Sequence, residues 1–257
     1  MNETVFLRLL QIVKELRVKC PWDKEQSIES LRHLTIEEAF ELSGAILDKN
    51  YTDIEVELGD VLLHIVFYAV LGEEIGKFDM NSVIDKLCDK LIRRHPHIYG
   101  NVQVNGTKDV LQNWESIKLN EKKDTKAGLL SGVPDGMPSM IKAIRIQEKA
   151  AQVGFDWKIT DDIWSKFEEE KLEFQNATND DERLDEFGDL LFTLVNVGRF
   201  EGINADDALE HANRKFKSRI ELMENFARVQ HKSLKELSLE QLEGLWLDSK
   251  LINKVKS

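Results

Sequence analysis

One carboxylate pattern is written twice along this chain, in the same order, and it restricts the fold more than any other feature. Glu37-Glu38-x-x-Glu41 precedes Glu57-Leu58-Gly59-Asp60, and Glu169-Glu170-x-x-Glu173 precedes Glu186-Phe187-Gly188-Asp189. An apolar run follows the aspartate each time, Val61-Leu62-Leu63 and then Leu190-Leu191-Phe192. Residues three or four apart share a helix face, so Glu37 and Glu38 each align with Glu41, and Glu57 aligns with Asp60. Two such helices packed side by side bring four or five carboxylates together. Like charges at this spacing repel, and burial adds to the cost. A divalent cation removes that cost, and an all-oxygen ligand set suits Mg²⁺ or Mn²⁺ rather than zinc. The glycine inside each second helix costs about 1 kcal/mol relative to alanine, which implies close approach of another backbone or of a ligand. A lone Glu-Glu-x-x-Glu reads more readily as a solvated helix face; the ordered duplication does not.

The remaining composition supports helices. Only four prolines, few Val/Thr alternations and abundant Glu, Lys, Leu and Ala leave little strand signal, so the fold class is all-α. The 257 residues suffice for two domains of ordinary size. The longest apolar stretch, Val61 to Leu71, is interrupted by His64 and is too short to span a bilayer. Met1-Asn2-Glu3-Thr4 lacks the basic start and cleavage site of a signal peptide, and Cys20 and Cys88 form neither a disulfide framework nor a metal-ligand spacing. A cytoplasmic protein with no membrane partner is expected. The net charge of −12 argues against a nucleic-acid polymer as the main partner. It does not exclude nucleotides, because a metal-loaded acidic cluster holds phosphates that the bare protein would repel.

The repeat sets the domain plan: a helical unit over residues 1–100, a linker with a short helix carrying Trp114 over 101–130, and a second unit over 131–257. About four helices are expected in each, Asn2–Lys19, Ser30–Asp48, Thr52–Glu74 and Met80–Arg94, then Pro138–Val153, Ile159–Ala177, Asp181–Gly202 and Ala205–Arg228. Asp79 and Asn204 stand where N-caps belong, and Gly76 and Gly202 where helices end. A last amphipathic piece runs from Leu234 to Leu251. Short connections between helices of this length predict antiparallel bundles. The second carboxylate helix of each unit is apolar nearly all round, which predicts a central buried helix.

Basic pairs follow both clusters. Lys90 and Arg94, and likewise Lys215 and Arg219, are four apart and share a face. A metal–carboxylate cluster opposite such a pair is what phosphoryl chemistry requires; ordinary surface charge is the plainer reading. Trp246 and Lys250 repeat the four-residue spacing, as a stacking ring beside an ammonium or as an anchor for the last helix. His95-Pro96-His97 lacks a third soft ligand and reads as a helix-ending turn. Cys20-Pro21-Trp22-Asp23 and Gly154-Phe155-Asp156-Trp157 are a second repeated feature, open to base stacking or to packing.

Together these motifs resemble the MazG family of nucleoside triphosphate pyrophosphohydrolases, within the all-α NTP pyrophosphatases, over nearly the whole chain. The resemblance implies two tandem MazG-like units and Mg²⁺-dependent hydrolysis of the α–β phosphoanhydride to a nucleoside monophosphate and pyrophosphate. It also implies a homodimer, tolerance of many bases, and a housecleaning role in the nucleotide pool. By the same resemblance Glu170, Glu173, Glu186 and Asp189 hold the metal, and Glu169 is a further ligand or orients water. Lys215 and Arg219 bind phosphates, Trp246 and Lys250 are further nucleotide contacts, and Lys166 is a weaker phosphate candidate. The first unit retains Glu37, Glu38, Glu41, Glu57 and Asp60 as a second metal set. The gap between acid pairs is sixteen residues in the first unit and thirteen in the second, a difference expected in the connecting loop. Two other readings remain at this point: a nucleotide-sensing helical dimer with structural metal, and a narrower pyrophosphatase acting on dUTP, dCTP or phosphoribosyl-ATP.

Overall fold

Helices alone make up the regular structure of the described residues, 3–123 and 128–256, in the computed structural model. They fall into two units, Met1–Glu121 and Lys122–Ser257. The first contains α1 (Glu3–Lys19), α2 (Pro21–Glu25), α3 (Ile28–Leu47), α4 (Tyr51–Glu74), α5 (Met80–Arg94), α6 (Pro96–Tyr99) and most of α7 (Thr107–Lys123). The second contains α8 (Ser139–Gln152), α9 (Thr160–Asn176), α10 (Asp180–Phe200), α11 (Ala205–Val229), a 3₁₀ turn at Leu234–Glu236 and α12 (Leu239–Lys256). The expected first residue of α1, Asn2, lies outside the described residues, as does Asp124 of the polar stretch.

The caps explain the boundaries. Asp79 and Ser82 form a reciprocal capping box at the start of α5, and the Asn204 side chain accepts from the Asp206 and Asp207 backbone N–H groups at the start of α11. Asn50 and Asn179 cap α4 and α10 in the same way. Gly76 and Gly202 adopt φ of 64° and 70°, the left-handed conformation that lets the chain leave a helix without a Cβ clash.

In the first unit α3 packs along α4, and α1 closes over α4 through Val13, Val66, Phe67, Val70 and Leu71. Lys14 to Glu73 and Arg17 to Glu74 tie the ends of that contact. In the second unit α9 packs along α10, with α8 and α11 adjoining, around Ile163, Val195, Val197 and Met223. Neither carboxylate-bearing α4 nor α10 is buried all round, contrary to the apolar pattern. Leu58, Leu62 and Ile65 on α4, and Leu191, Phe192 and Leu194 on α10, are exposed. From Val66 to Gly72 α4 is buried on most sides, whereas the apolar residues of its first half, like those of the outer side of α10, have no cover among the described residues of their own unit.

Two other expectations change. The three extra residues between the first unit's acid pairs do not lie in the loop, because both connections span three residues, 48–50 and 177–179, and both asparagine caps stand seven residues before the second Glu. They extend the end of α3 by almost one turn. Among the described residues, Gly59 and Gly188 meet no atom beyond their chain neighbours and their own helix backbone within 4 Å of where a Cβ would stand, so no such residue makes the close approach anticipated there.

Candidate active site

The α9–α10 contact in the second unit brings Glu170, Glu186 and Asp189 together, with one carboxylate oxygen of each within 4.8 Å of the others. The α3–α4 contact does the same for Glu38, Glu41 and Glu57. Antiparallel packing across the three-residue connection sets both trios, since it apposes Glu-Glu-x-x-Glu to the Glu-x-Gly-Asp of the next helix. Glu37, Asp60, Glu169 and Glu173 stand outside the trios but not apart from them. Asp60, Glu41 and Glu37 add to the burial that raises the Glu38 pKa. Burial first, then Glu41 and Asp60, raises that of Glu57. In the second unit burial, followed by Glu186, raises the pKa of Glu173, while Lys166 opposes the shift.

These shifts share one cause, the crowding of negative charge with partial loss of water. Glu57 carries a buried Oε2 with no hydrogen-bond partner. An unsatisfied buried carboxylate oxygen within a cluster of oxygen donors fits a hard divalent cation. The second unit supplies its own partial counter-charge: Lys166 Nζ lies 2.7 Å from Glu169 Oε1 and 2.9 Å from Glu170 Oε1, which raises the lysine pKa. Glu170 is buried, and Lys166 is the only cation paired with it among the described residues.

A cavity of about 530 Å³ opens beside the second trio. Glu170, Asp189 and Lys166 line it together with Trp157, Thr193, Asn196, Arg199 and the buried Gln147. Arg199 grips the Asp156 carboxylate through both terminal nitrogens, and its Nε and Nη2 donate to Asn196 Oδ1 at 2.9 and 2.8 Å. Asp156 thereby fixes the turn that carries Phe155, which is exposed, and Trp157, both at the cavity wall. Gln147 Nε2 donates to the Phe192 carbonyl at 2.7 Å, which leaves its Oε1 as a buried acceptor without a partner.

Sequence reasoning passed over Thr193, Asn196, Arg199 and Gln147. The signal was present: the first three stand at positions 193, 196 and 199, a polar stripe at helical spacing inside an otherwise apolar run. The corresponding positions of α4, counted four, seven and ten residues after Asp60, are His64, Phe67 and Val70, and all three are buried. Phe67 and Val70 belong to the first unit's core, and His64 bonds to Thr35 Oγ1 at 3.0 Å through Nδ1. Burial holds the His64 pKa below the usual imidazole value.

Lys215, Arg219, Trp246 and Lys250 do not line the cavity. Arg219, Trp246 and Lys250 form a separate group between α11 and α12, in which Arg219 lies 5.1 Å and Lys250 5.7 Å from the Trp246 ring centre, and Phe216 packs on the same ring; Lys215 is exposed on α11. Arg219 Nε is buried and has no hydrogen-bond partner. In the first unit Arg93 and Arg94 are engaged. Arg93 Nε donates to Glu121 Oε1 at 2.7 Å, and Arg94 reaches both oxygens of the same carboxylate, with Nη2 to Oε2 at 2.5 Å.

The chain is 41% identical over 248 residues to the nucleoside triphosphate pyrophosphohydrolase/pyrophosphatase MazG of Thermotoga maritima, a match spanning 96% of each chain. The chain belongs to the MazG family. It is also 36% identical to the nucleoside triphosphate pyrophosphohydrolase of Escherichia coli K12, over 93% of this chain and 94% of that one. Residues 26–99 match the MazG nucleotide pyrophosphohydrolase domain, a span that contains the first trio together with Arg93 and Arg94. The matched span therefore includes carboxylates that helix packing has brought together.

Proposed function

We propose that this MazG protein is a nucleoside triphosphate pyrophosphohydrolase that cleaves the α–β phosphoanhydride in its second unit, releasing a nucleoside monophosphate and pyrophosphate. The observation that carries this reading is the carboxylate trio of Glu170, Glu186 and Asp189 at the wall of a cavity large enough for a nucleoside. Mg²⁺, with Mn²⁺ as a substitute, supplies neutralisation of the phosphates and a water of lowered pKa when bound to these carboxylates.

The chain's own groups supply the rest. Glu173 is a carboxylate of raised basicity beside Glu186, suited to take the proton of the attacking water. Water attacks the α-phosphorus as its proton passes to Glu173, the bond from the α-phosphorus to the bridging oxygen breaks, and pyrophosphate leaves with that oxygen. Lys166 holds Glu169 and Glu170 through its ammonium group and is a further phosphate contact. Lys215 and Arg219 neutralise phosphate charge, with Trp246 and Lys250 as further nucleotide contacts. Trp157 and the Arg199–Asp156 pair shape the nucleoside wall. Broad base tolerance and a housecleaning role in the cytoplasm complete this reading.

The first unit has an acid trio of its own, Glu38, Glu41 and Glu57, but Phe67 and Val70 fill the helix positions that line the cavity in the second. That contrast supports turnover in the second unit. The exposed apolar residues of α4 and α10 suit burial against a second copy, giving a homodimer. The test is a pair of variants under saturating Mg²⁺ and nucleotide. Asp189→Ala lowers kcat by at least about 100-fold, and Asp60→Ala leaves it within about threefold of the parent. Equal losses from both would place chemistry in both units and overturn the assignment.

A further inference from the structure

The internal repeat extends further than its acid motifs. Arg94 and Arg219 each stand fifteen residues after the N-cap of their helix, Asp79 and Asn204. Each lies over a tryptophan ring from the unit's last helix, Arg94 at 5.5 Å from Trp114 and Arg219 at 5.1 Å from Trp246. Each tryptophan is followed four residues later by a lysine, Lys118 and Lys250, and then by leucine. The segment expected to be a linker therefore carries α7, the counterpart of α12.

The two copies differ at one decisive atom. Arg219 Nε is buried without an acceptor, whereas Arg94 Nε lies 3.3 and 3.2 Å from the two oxygens of Glu121. Glu121 stands seven residues after Trp114, and the residue seven after Trp246 is the uncharged Asn253. Arg93 donates to the same Glu121 carboxylate, so two guanidinium groups converge on one side chain. Paired guanidinium groups match a phosphate as well as a carboxylate, and a phosphate carries more charge and more acceptor oxygens.

We propose that Arg93 and Arg94 form a polyphosphate-binding site in the first unit, and that Glu121 is its built-in competitor. A diphosphate or triphosphate group displaces the Glu121 carboxylate, and α7 loses its charged tether to α5. The ligand is recognised through phosphate alone, because Phe67 and Val70 occupy the positions that line the nucleoside cavity in the other unit. Either inorganic pyrophosphate or the tail of a nucleotide supplies that chemistry. The proposal rests on the reading above only through the phosphate role of Arg219.

The test uses the full chain carrying Lys166→Gln, Lys215→Gln, Arg219→Gln and Lys250→Gln, which removes from the titration the cations assigned to phosphate in the second unit. Calorimetric titration with magnesium pyrophosphate, and separately with α,β-methylene-ATP, compares this protein with the same protein carrying Glu121→Gln. Removal of the competitor is expected to tighten binding at least tenfold for one or both ligands, and Arg94→Gln added to it is expected to abolish the gain. A gain with pyrophosphate identifies the inorganic ion as sufficient, and a gain confined to α,β-methylene-ATP identifies the nucleotide tail. No gain with either overturns the proposal. A second measurement needs no variant of α7: in the wild-type chain, saturating pyrophosphate is expected to speed amide hydrogen exchange across residues 107–123. Unchanged or slower exchange there contradicts displacement of Glu121. Neither readout depends on turnover, so failure here and failure of the pyrophosphohydrolase reading are separable.

Discussion

Single side chains decide how the second unit tolerates its acid cluster. Glu170 is buried, and among the described residues its counter-charge is Lys166, at 2.9 Å. Lys166→Ala leaves that carboxylate without its partner and is expected to cost about 1–3 kcal/mol in chelator, with part of the loss recovered in Mg²⁺. Urea unfolding under the two conditions measures this; an equal cost in both would deny that a cation shares the site. Arg199 holds Asp156 through a two-nitrogen fork that lysine cannot reproduce. Arg199→Lys is expected to lower kcat/KM about tenfold, mainly through KM, because it loosens the cavity wall rather than the reacting groups. Steady-state kinetics with a purine and a pyrimidine nucleotide separates the two parameters. Glu121 belongs to the same scale. Its two arginines hold its pKa at about 2, below the ordinary value of 4.5. A depressed carboxylate pKa gives stability that is present above the unfolded value and lost as pH falls through the folded one. Between about pH 4.5 and 2 the wild type should therefore lose an increment of stability that Glu121→Gln lacks, read as a narrowing gap between their denaturation midpoints.

At the scale of elements, helix ends and spacings were the legible part of the sequence. Asp79, Asn204, Gly76 and Gly202 work by local chemistry, a side-chain acceptor for free N–H groups or a backbone that tolerates positive φ, and local chemistry is written in local sequence. The acid trios were legible because helical periodicity and one short connection suffice to appose them. Residues whose roles arise from contacts between distant elements were not: Arg199 meets Asp156 across 43 positions and Glu121 meets Arg93 across 28. The burial of α4 and α10 was misread for a related reason, since apolar pattern reports what a helix can bury and not whether the chain provides the cover. Gly72 shows how tightly α4 is held where cover exists. A Cβ there would stand 2.4 to 2.7 Å from ring carbons of Phe78. Gly72→Ala is expected to destabilise the first unit by about 1–3 kcal/mol despite the better helix propensity of alanine, and thermal unfolding checks the sign.

For the whole molecule, two copies of one helical plan have diverged around a shared acid pattern. The second pairs its trio with a cavity and leaves Arg219 Nε without a partner; the first fills the matching positions and satisfies Arg94 internally. The two proposals together amount to a division of labour, with catalysis in the second unit and anion sensing in the first. Cation binding to the native trios alone predicts that Mg²⁺ raises the melting temperature, and that alanine at Asp189 removes part of the rise. Both units' roles rest on which bond breaks. Phosphorus NMR of the products formed from ATP or dGTP with Mg²⁺ decides this: pyrophosphate and the nucleoside monophosphate are expected, and orthophosphate with the diphosphate would overturn α–β cleavage.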